Sequence, residues 1–287
     1  MGRAMGRAFG MRSCLIGISL AVLTSAGRGE QAVVRVGVFA GSQPLALPER
    51  NSGLLVDLVR AAFAAESVNT AFVFLSPLRV EREFEFGHID VNTAAKSTAA
   101  PMGTGVLSRW PVVSFRNQAI TLKAKFPQLA SITELGALRV VTFQNASRFL
   151  GADFAAMAAA NKNYIEVPGS LPTAMLSLDR ADVMVAQPDI FRYSVLNDQV
   201  PRVKSAVLAD FAFHDILGAG NKYWFAFRTE AMRDRFERGI KKIYQNGQVD
   251  AIITRYQRDY ATSRDFLIEL DCRFKKEKPA ACADLQR

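Results

Sequence analysis

The stretch GHIDVNTAAKSTAAP, from Gly87 to Pro101, decides how the chain folds, because a strand pattern within it ends in a polar run. The first half closes a helix at Gly87 and enters a short strand at Asp90 and Val91. The second half consists of small and hydroxylated residues that cannot pack a hydrophobic core. The stretch therefore predicts a strand whose far end is exposed and polar.

Strand and helix patterns alternate before this stretch. Val33–Gly41 and Thr70–Leu75 are apolar runs that predict strands. Leu54–Ser67 places its apolar residues on one helical face, and a second helix is predicted from Ser76 to Gly87. This alternation requires crossover connections and predicts a largely parallel sheet covered on both faces. Ligands bind at the carboxyl ends of such strands, where the polar half of the quoted stretch begins; the alternative is an ordinary solvent loop.

The same alternation repeats in the second half of the chain. Pro111–Lys123 predicts a strand that leads out of the first set of elements. Four later runs have strand composition: Leu138–Phe143, Tyr164–Val167, Ala181–Ala186 and Tyr223–Arg228. Two closing helices end near Tyr260. We therefore predict two α/β lobes that face each other across a cleft. Their predicted boundaries are residues 33–122 plus 190–262 for lobe 1, 123–189 for lobe 2 and 263–287 for a C-terminal tail.

Residues 1–26 have the pattern of a secretory signal peptide. Three arginines and no acid precede the apolar run Cys14–Ala26, which ends in small residues. Cleavage near Ala26 would release the mature protein into the periplasm, which is the location we predict. The alternative is an uncleaved membrane anchor, which the shortness of the run disfavours.

Composition and charge exclude several classes of protein. With 49% hydrophobic and 22% charged residues, the chain is too apolar to be disordered. Its formal net charge is +9, but the basic residues are scattered, apart from a run at Arg273–Lys278 that we interpret as a solvated tail. A nucleic-acid site would gather basic and aromatic residues on one face, so no nucleic-acid partner is predicted.

Cysteine and histidine usage argues against a metal site. Cys272 and Cys282 remain after the predicted signal peptide, and an even pair in an exported chain predicts a disulfide. The two histidines, His88 and His214, lie far apart in sequence and do not make a recognisable ligand set with two thiols. Both histidines are predicted to be structural, and no metal or cofactor is predicted.

Five blocks of sequence, taken in order, resemble family 3 of the type II periplasmic solute-binding proteins, the polar-amino-acid-binding proteins of ABC importers. The blocks are SGLLVDLVRAAF, RVEREFEFGHIDV, VLSRWPVVSFRNQAITLK, ITELGALRVVTFQNAS and IKKIYQNGQVDAIITRY. The resemblance covers about Val33 to Tyr260. It implies a two-lobed α/β fold in which each lobe is a mainly parallel sheet flanked by helices, hinged about a central cleft.

The sequence departs from the resemblance at the positions that would hold an amino acid. Members that bind amino acids carry Thr-x-x-Arg after the third strand, and the arginine grips the ligand's α-carboxylate. Here Thr98 is present, but Pro101 stands at the arginine position. Gln187 stands where an acid usually holds the α-ammonium, and the aromatic residue of the first loop is missing. An ordinary α-amino acid is therefore not the expected ligand.

The remaining polar residues at these positions form the predicted site. Ser97 and Thr98 would donate hydrogen bonds from lobe 1, and Gln187 suits a neutral polar group. Four residues open a helix of lobe 2, where free N–H groups and the helix dipole favour an anion: Asn145, Ala146, Ser147 and Arg148. Arg109 could add positive charge, but an exposed surface position is the expectation for it. We expect a small polar or anionic, non-zwitterionic metabolite.

The function implied is capture without chemistry. The lobes would rotate about crossings near Leu122–Lys125 and Gln187–Arg192 and present the closed form to an inner-membrane ABC permease. The protein is expected to be a monomer and not an enzyme. One alternative is an exported accessory or sensor protein of a periplasmic enzyme system that has lost amino-acid binding. A second is a cleft enzyme like the cyclohexadienyl dehydratases, with candidate acids at Glu49, Asp189 and Asp215.

Overall fold

The computed structural model describes residues 1–2, 33–95, 105–169, 171–197, 207–218 and 220–286, with the backbone alone at 284–286. The predicted signal peptide, apart from its first two residues, lies outside this part of the chain. Within it, no helix has the length and apolar character that crossing a membrane requires.

The first sheet has six strands, and three of them are the parallel strands predicted from the sequence. The strands are β1 Val34–Phe39, β2 Thr70–Leu75, β3 Val91–Ala95, β4 Val106–Leu107, β5 Val113–Phe115 and β11 Asn221–Phe227. Their order is β2-β1-β3-β11-β4, and β5 also pairs with β11. β1 is parallel to both β2 and β3, whereas β11 runs antiparallel to its neighbours. The parallel core of the sheet confirms the crossover topology.

The second sheet has five strands in the order β10-β6-β9-β7-β8. The strands are β6 Gln118–Leu122, β7 Val140–Phe143, β8 Tyr164–Val167, β9 Val183–Ala186 and β10 Phe211–His214. β7 is parallel to β8 and β9, while β6 is antiparallel to both β9 and β10. Each sheet therefore combines a parallel core with antiparallel strands. The two-lobed α/β fold is as predicted, but the sheets are mixed rather than mainly parallel.

Helices flank both sheets. Those of the first sheet are α1 Leu54–Ala64, α2 Pro77–Glu85, α7 Glu230–Gln245, α8 Gln248–Tyr260 and α9 Ile268–Phe274. Those of the second sheet are α3 Ala146–Phe149, α4 Ala152–Ala160, α5 Leu171–Ser177 and α6 Pro188–Asn197. Alternating residues of the second sheet point to two separate cores: Val140 packs with Phe154, and Val141 packs with Leu176 and Phe191. Strands buried on both faces explain the continuous apolar runs in the sequence.

The predicted lobe boundaries need correction. Pro111–Lys123 is not one strand: it divides at Arg116 and Asn117 into β5 of the first sheet and β6 of the second. β10 also belongs to the second sheet, because it pairs with β6. α6 belongs to the second lobe, because its Phe191 packs against Phe211 of β10 at 4.8 Å between ring centroids. The sheets thus divide the chain at residues 116–117 and 215–220, rather than at 122–123 and 189–190.

The predicted C-terminal tail is part of the first lobe. Phe266, Leu267 and Leu270 are at most 1% exposed and belong to its core. Cys272 and Cys282 form the predicted disulfide, with 5.5 Å between their Cα atoms. The basic run that follows Cys272 is therefore anchored to the lobe at both ends of the disulfide loop.

Gly239 allows α7 to pack closely on α1. A Cβ atom at this position would lie 2.6 Å from the carbonyl carbon of Ala62, and closer still to its oxygen. A glycine in a helix interior normally costs stability relative to alanine. Here it is required because the two backbones touch, and the neighbouring pair Phe63 and Phe236 fills the core on either side.

We expect Gly239→Ala to destabilise the protein by about 1–3 kcal/mol or more, because overpacking outweighs the gain in helix propensity. Gly136→Ala is the matched control, since a Cβ atom there has nothing within 4 Å. Urea unfolding of the two variants gives the comparison. Equal free energies of unfolding for Gly239→Ala and Gly136→Ala would contradict this role, because they would mean that α7 can move away from α1 without loss of stability.

His214 is structural, as predicted. It is 7% exposed, its Nδ1 accepts a hydrogen bond from Leu129 N at 3.2 Å, and its Nε2 lies 2.9 Å from Thr121 Oγ1. Because Nδ1 is an acceptor, the ring is neutral and donates from Nε2. Burial lowers the pKa of His214 below its usual 6.5.

The unfolded chain therefore binds a proton more readily than the folded one between the folded and unfolded pKa values of His214. Stability is fully present above pH 6.5 and declines as the pH falls, by up to about 1.4 kcal/mol per pH unit. Unfolding titrations should show this slope in the wild type and in a variant of the exposed His88, His88→Gln. The slope should be smaller in His214→Gln; an unchanged slope would assign it to other groups.

Candidate ligand-binding site

The chain crosses between the two sheets at the carboxyl ends of their parallel strands. In the first sheet Trp224 pairs with Ala95, the last residue of β3, so β11 starts beyond the carboxyl end of β3. In the second sheet Gln118 pairs with Ala186, the last residue of β9, so β6 starts at the carboxyl end of β9. Both crossings of the chain thus join carboxyl edges, which is where α/β sheets bind ligands.

The crossings lie side by side. Arg116 of the first crossing donates from Nε to Asp215 Oδ1 of the second at 3.1 Å and makes an ion pair with the other oxygen through Nη2. Next to them, Asn221 Nδ2 of the first lobe donates to the Phe149 carbonyl of the second at 3.1 Å. The chain therefore crosses between the sheets at residues 116–117 and 215–220, and neither crossing lies at Leu122–Lys125 or Gln187–Arg192, where the sequence predicted them.

On the first lobe the predicted donors Ser97 and Thr98, and Pro101 with them, lie outside the described residues. The residues just before them serve the fold: Thr93 Oγ1 donates to the Gly37 carbonyl at 2.9 Å, and Asn92 Oδ1 accepts from Ala94 N at 2.8 Å. Both side chains are buried. The polar run at the end of β3 therefore begins with two buried residues that stabilise the fold.

The first loop of this lobe packs inward. Its residues Leu45, Ala46 and Leu47 are at most 1% exposed and belong to the core of the first lobe. Ser42 is also buried and donates to the Phe39 carbonyl at 2.9 Å. The loop that lacks the expected aromatic residue thus contributes its apolar side chains to the core.

On the second lobe, the chain's own carboxylate occupies the predicted anion position. Glu166, on β8, accepts hydrogen bonds from Asn145 N at 2.6 Å, Ser147 N at 3.0 Å and Ser147 Oγ at 2.8 Å. Tyr164 donates its hydroxyl to the same carboxylate at 2.8 Å. Asn145 has a left-handed backbone (φ 65°), which turns β7 into α3 and aims these N–H groups at Glu166.

Glu166 is held as an anion. Burial alone would raise its pKa, but the hydrogen bonds from Ser147, Tyr164 and Asn145 outweigh it and lower the pKa below 4.5. Burial and the neighbouring Glu166 raise the pKa of Tyr164. The expectation that the N–H groups of Asn145 and Ser147 are free for a ligand is therefore wrong. Sequence reasoning missed Glu166, because its contact depends on the register that places it beside Thr142.

The other two residues of the predicted helix tip differ in exposure. Ala146 is fully buried in the second lobe, where it packs in the core beside β7. Arg148 is exposed. Of the four residues predicted here, Arg148 alone presents a charged side chain to solvent.

Gln187 is turned away from a ligand position. It is 4% exposed, and its Oε1 accepts from Asp189 N at 2.6 Å and Ile190 N at 3.0 Å, so it caps α6. Its Nε2 donates to Asp189 Oδ2 at 3.1 Å. Because both its oxygen and its nitrogen are engaged in this cap, Gln187 is not available to a solute in this arrangement.

The three candidate acids and Arg109 either have partners within the chain or lie exposed at the surface. Asp189 is fully buried among donors, Asp215 is paired with Arg116, and Glu49 is exposed on the short 3-10 helix Pro48–Arg50. Arg109 pairs with Asp234 and Glu237 of α7. The expected surface position of Arg109 is thus confirmed.

We expect Glu166→Gln to destabilise the protein by roughly 1–3 kcal/mol near pH 7, because an amide cannot accept from all four donors and sets an N–H group against one of them. The control is Glu81→Gln on the exposed side of α2. Since the pKa of Glu166 is lowered, its contribution is present above pH 4.5 and is lost as the pH falls through the folded value. The variant and wild type should therefore converge in acid, as urea unfolding at several pH values can show. Equal stability near neutral pH would contradict this role for Glu166.

Comparisons with known proteins identify the fold. No family model matches the sequence, and no curated protein does. Among solved structures, a histidine kinase sensor domain with similarity to periplasmic binding proteins has a TM-score of 0.61 at 16% identity, covering 80% of this chain and 97% of its own. The GluR0 ligand-binding core in complex with L-glutamate has a TM-score of 0.62 at 13% identity, covering 79% and 99%. The substrate-binding protein of an amino acid ABC transporter has a TM-score of 0.56 at 13% identity, covering 79% and 100%.

These similarities confirm the predicted fold class. The chain has the two-lobed fold of periplasmic binding proteins, of the kind found in amino-acid-binding proteins. At these identities the likeness concerns the fold, while the activity has to be argued from the site.

Proposed function

We propose that this chain is an exported solute-binding protein that captures a small polar metabolite between its two lobes for an ABC-type importer. The observation that supports the proposal is the position of the crossings: both join the carboxyl edges of two α/β sheets. A protein of the same fold is the substrate-binding protein of an amino acid ABC transporter. The signal-peptide pattern of residues 1–26 supports a periplasmic location.

Capture in such a protein needs no chemistry. A solute that contacts both lobes binds the closed arrangement more tightly than the open one, and this difference in affinity shifts the population toward closure. A permease in the inner membrane then distinguishes the two arrangements. We therefore propose that the protein binds its solute without turning it over.

The second lobe restricts the chemistry of the solute. An anionic group at the tip of α3 would have to displace Glu166, which four hydrogen bonds hold in place. Gln187, which replaces the acid expected for an α-ammonium, is engaged with α6. We therefore propose a polar, non-zwitterionic solute that places no anionic group at the tip of α3.

The test is a direct search for a bound solute. Native mass spectrometry of the mature protein should show a co-purified small molecule, and its return to the stripped protein should raise the melting temperature. Calorimetry with the standard L-amino acids should show no binding. Tight binding of one of them would contradict the proposed solute class, and no thermal shift with any polar metabolite tested would contradict solute capture itself.

A second candidate is an exported accessory or sensor protein that keeps the lobes without transport. The observation that favours it is that Glu166 and Gln187 are both satisfied within the chain. A histidine kinase sensor domain shares the fold. Stimulation of a cognate permease's ATPase by the purified protein would favour import, whereas stable association with a periplasmic enzyme would favour the accessory role. The dehydratase alternative has the least support, because Asp189 and Asp215 serve structural contacts.

A further inference from the structure

A buried carboxylate connects the two lobes at a third point, close to the first crossing, since its helix follows Ala186 and Ala186 pairs with Gln118. Asp189, in the first turn of α6, has no exposed surface. Its Oδ1 accepts from Ser263 N at 2.8 Å and from Arg192 Nη1 at 2.8 Å. Its Oδ2 accepts from Ser263 Oγ at 3.0 Å and from Gln187 Nε2 at 3.1 Å. Two of the four donors belong to Ser263, which follows α8.

The two sides of this contact belong to different lobes. Asp189 is fixed to the second lobe because Phe191 and Val195, on the same helix, are buried in its core. Ser263 is fixed to the first lobe because Tyr256 before it and Phe266 after it are buried in the other core. A hydrogen bond between Asp189 and Ser263 therefore constrains the orientation of one lobe relative to the other.

Neighbouring residues extend the contact. The rings of Tyr193 on α6 and Tyr260 on α8 lie 5.3 Å apart, and Thr262, beside Ser263, is 2% exposed. We call the pairs Asp189–Ser263 and Tyr193–Tyr260 the interlobe contact.

We propose that the interlobe contact is a latch, which holds the lobes in one relative orientation and has to break before they rotate. A rotation of the lobes that moves α6 relative to the segment after α8 would separate Ser263 from Asp189. The carboxylate would then lose two of its four donors, and water would have to replace them as the contact opens. The latch adds a barrier to motion that the two crossings alone do not supply, and it goes beyond the solute-binding function proposed above.

The test measures the distance between the lobes in the absence of solute. Nitroxide labels at Glu81→Cys on α2 and Lys162→Cys between α4 and β8 report on lobes 1 and 2; both positions are exposed. The mature protein, which lacks Cys14, is used, and its own cysteines Cys272 and Cys282 are joined and do not react with the label. Pulsed electron resonance should give one narrow distance distribution for the wild-type latch. Asp189→Asn, which sets an amide N–H among donors, should broaden or shift the distribution, and Ser263→Ala should do so to a smaller extent.

Two matched controls remove the same groups elsewhere. Asp153→Asn changes an exposed acid in the first turn of α4, and Ser194→Ala removes a buried hydroxyl on α6 that has no hydrogen-bond partner in the described part of the chain. Both should keep the wild-type distribution. Amide exchange at Ser263 should accelerate in Asp189→Asn and stay unchanged in the controls.

A wild-type distribution and wild-type exchange in folded Asp189→Asn and Ser263→Ala would overturn the latch. If Asp189→Asn does not fold, the result for Ser263→Ala decides the test. That variant removes only the hydroxyl donor and keeps the backbone donor, so it is expected to fold. Because no solute is present, failure of solute capture would leave this result unaffected.

Discussion

The chain passes between its two sheets at residues 116–117 and 215–220, and the rest of the site depends on this constraint. Both crossings leave and enter at the carboxyl ends of parallel strands, so the strand ends of the two lobes are brought together. The pairing of Phe115 with Asn221 and the ion pair of Arg116 with Asp215 keep the crossings adjacent. We expect solute-binding groups in the loops that follow these strands, because ligands of α/β sheets bind beyond the carboxyl ends of the strands.

Most of the fold could be predicted because its determinants are local. Helix spacing in α1, the Pro77 and Gly87 boundaries of α2 and the apolar runs of the parallel strands follow from short-range patterns. The lobe boundary could not be read in the same way. The strand pattern of Pro111–Lys123 continues on both sides of Arg116 and Asn117, and only pairing with distant strands shows that it divides between two sheets.

The candidate site was less predictable because it depends on side-chain partners. Strand alternation puts Tyr164 and Glu166 on one face of β8, but the sequence does not show that this face meets the start of α3. Similarly, Gln187 occupies a ligand position by alignment and a capping position by geometry. A polar side chain near a strand end can hydrogen-bond either to a solute or to the backbone. Which partner it takes depends on the backbone N–H groups that the fold brings within hydrogen-bond distance.

The same reasoning applies to the charged residues that pair across the fold. Carboxylates in this chain connect segments that are far apart in sequence: Asp57 on α1 accepts from Arg255 on α8, and the 5%-exposed Glu237 on α7 accepts from Arg109. In both pairs the carboxylate is largely buried, while the arginine is about half exposed, at 49% for Arg255 and 51% for Arg109. Solvent screens the attraction, so each pair adds little net stability, but leaving the carboxylate without its donor is costly. They therefore specify which elements pack together. Asp189 follows this pattern with one difference: the elements it joins belong to separate lobes, so the geometry it specifies is the relative orientation of the lobes rather than the packing within one of them.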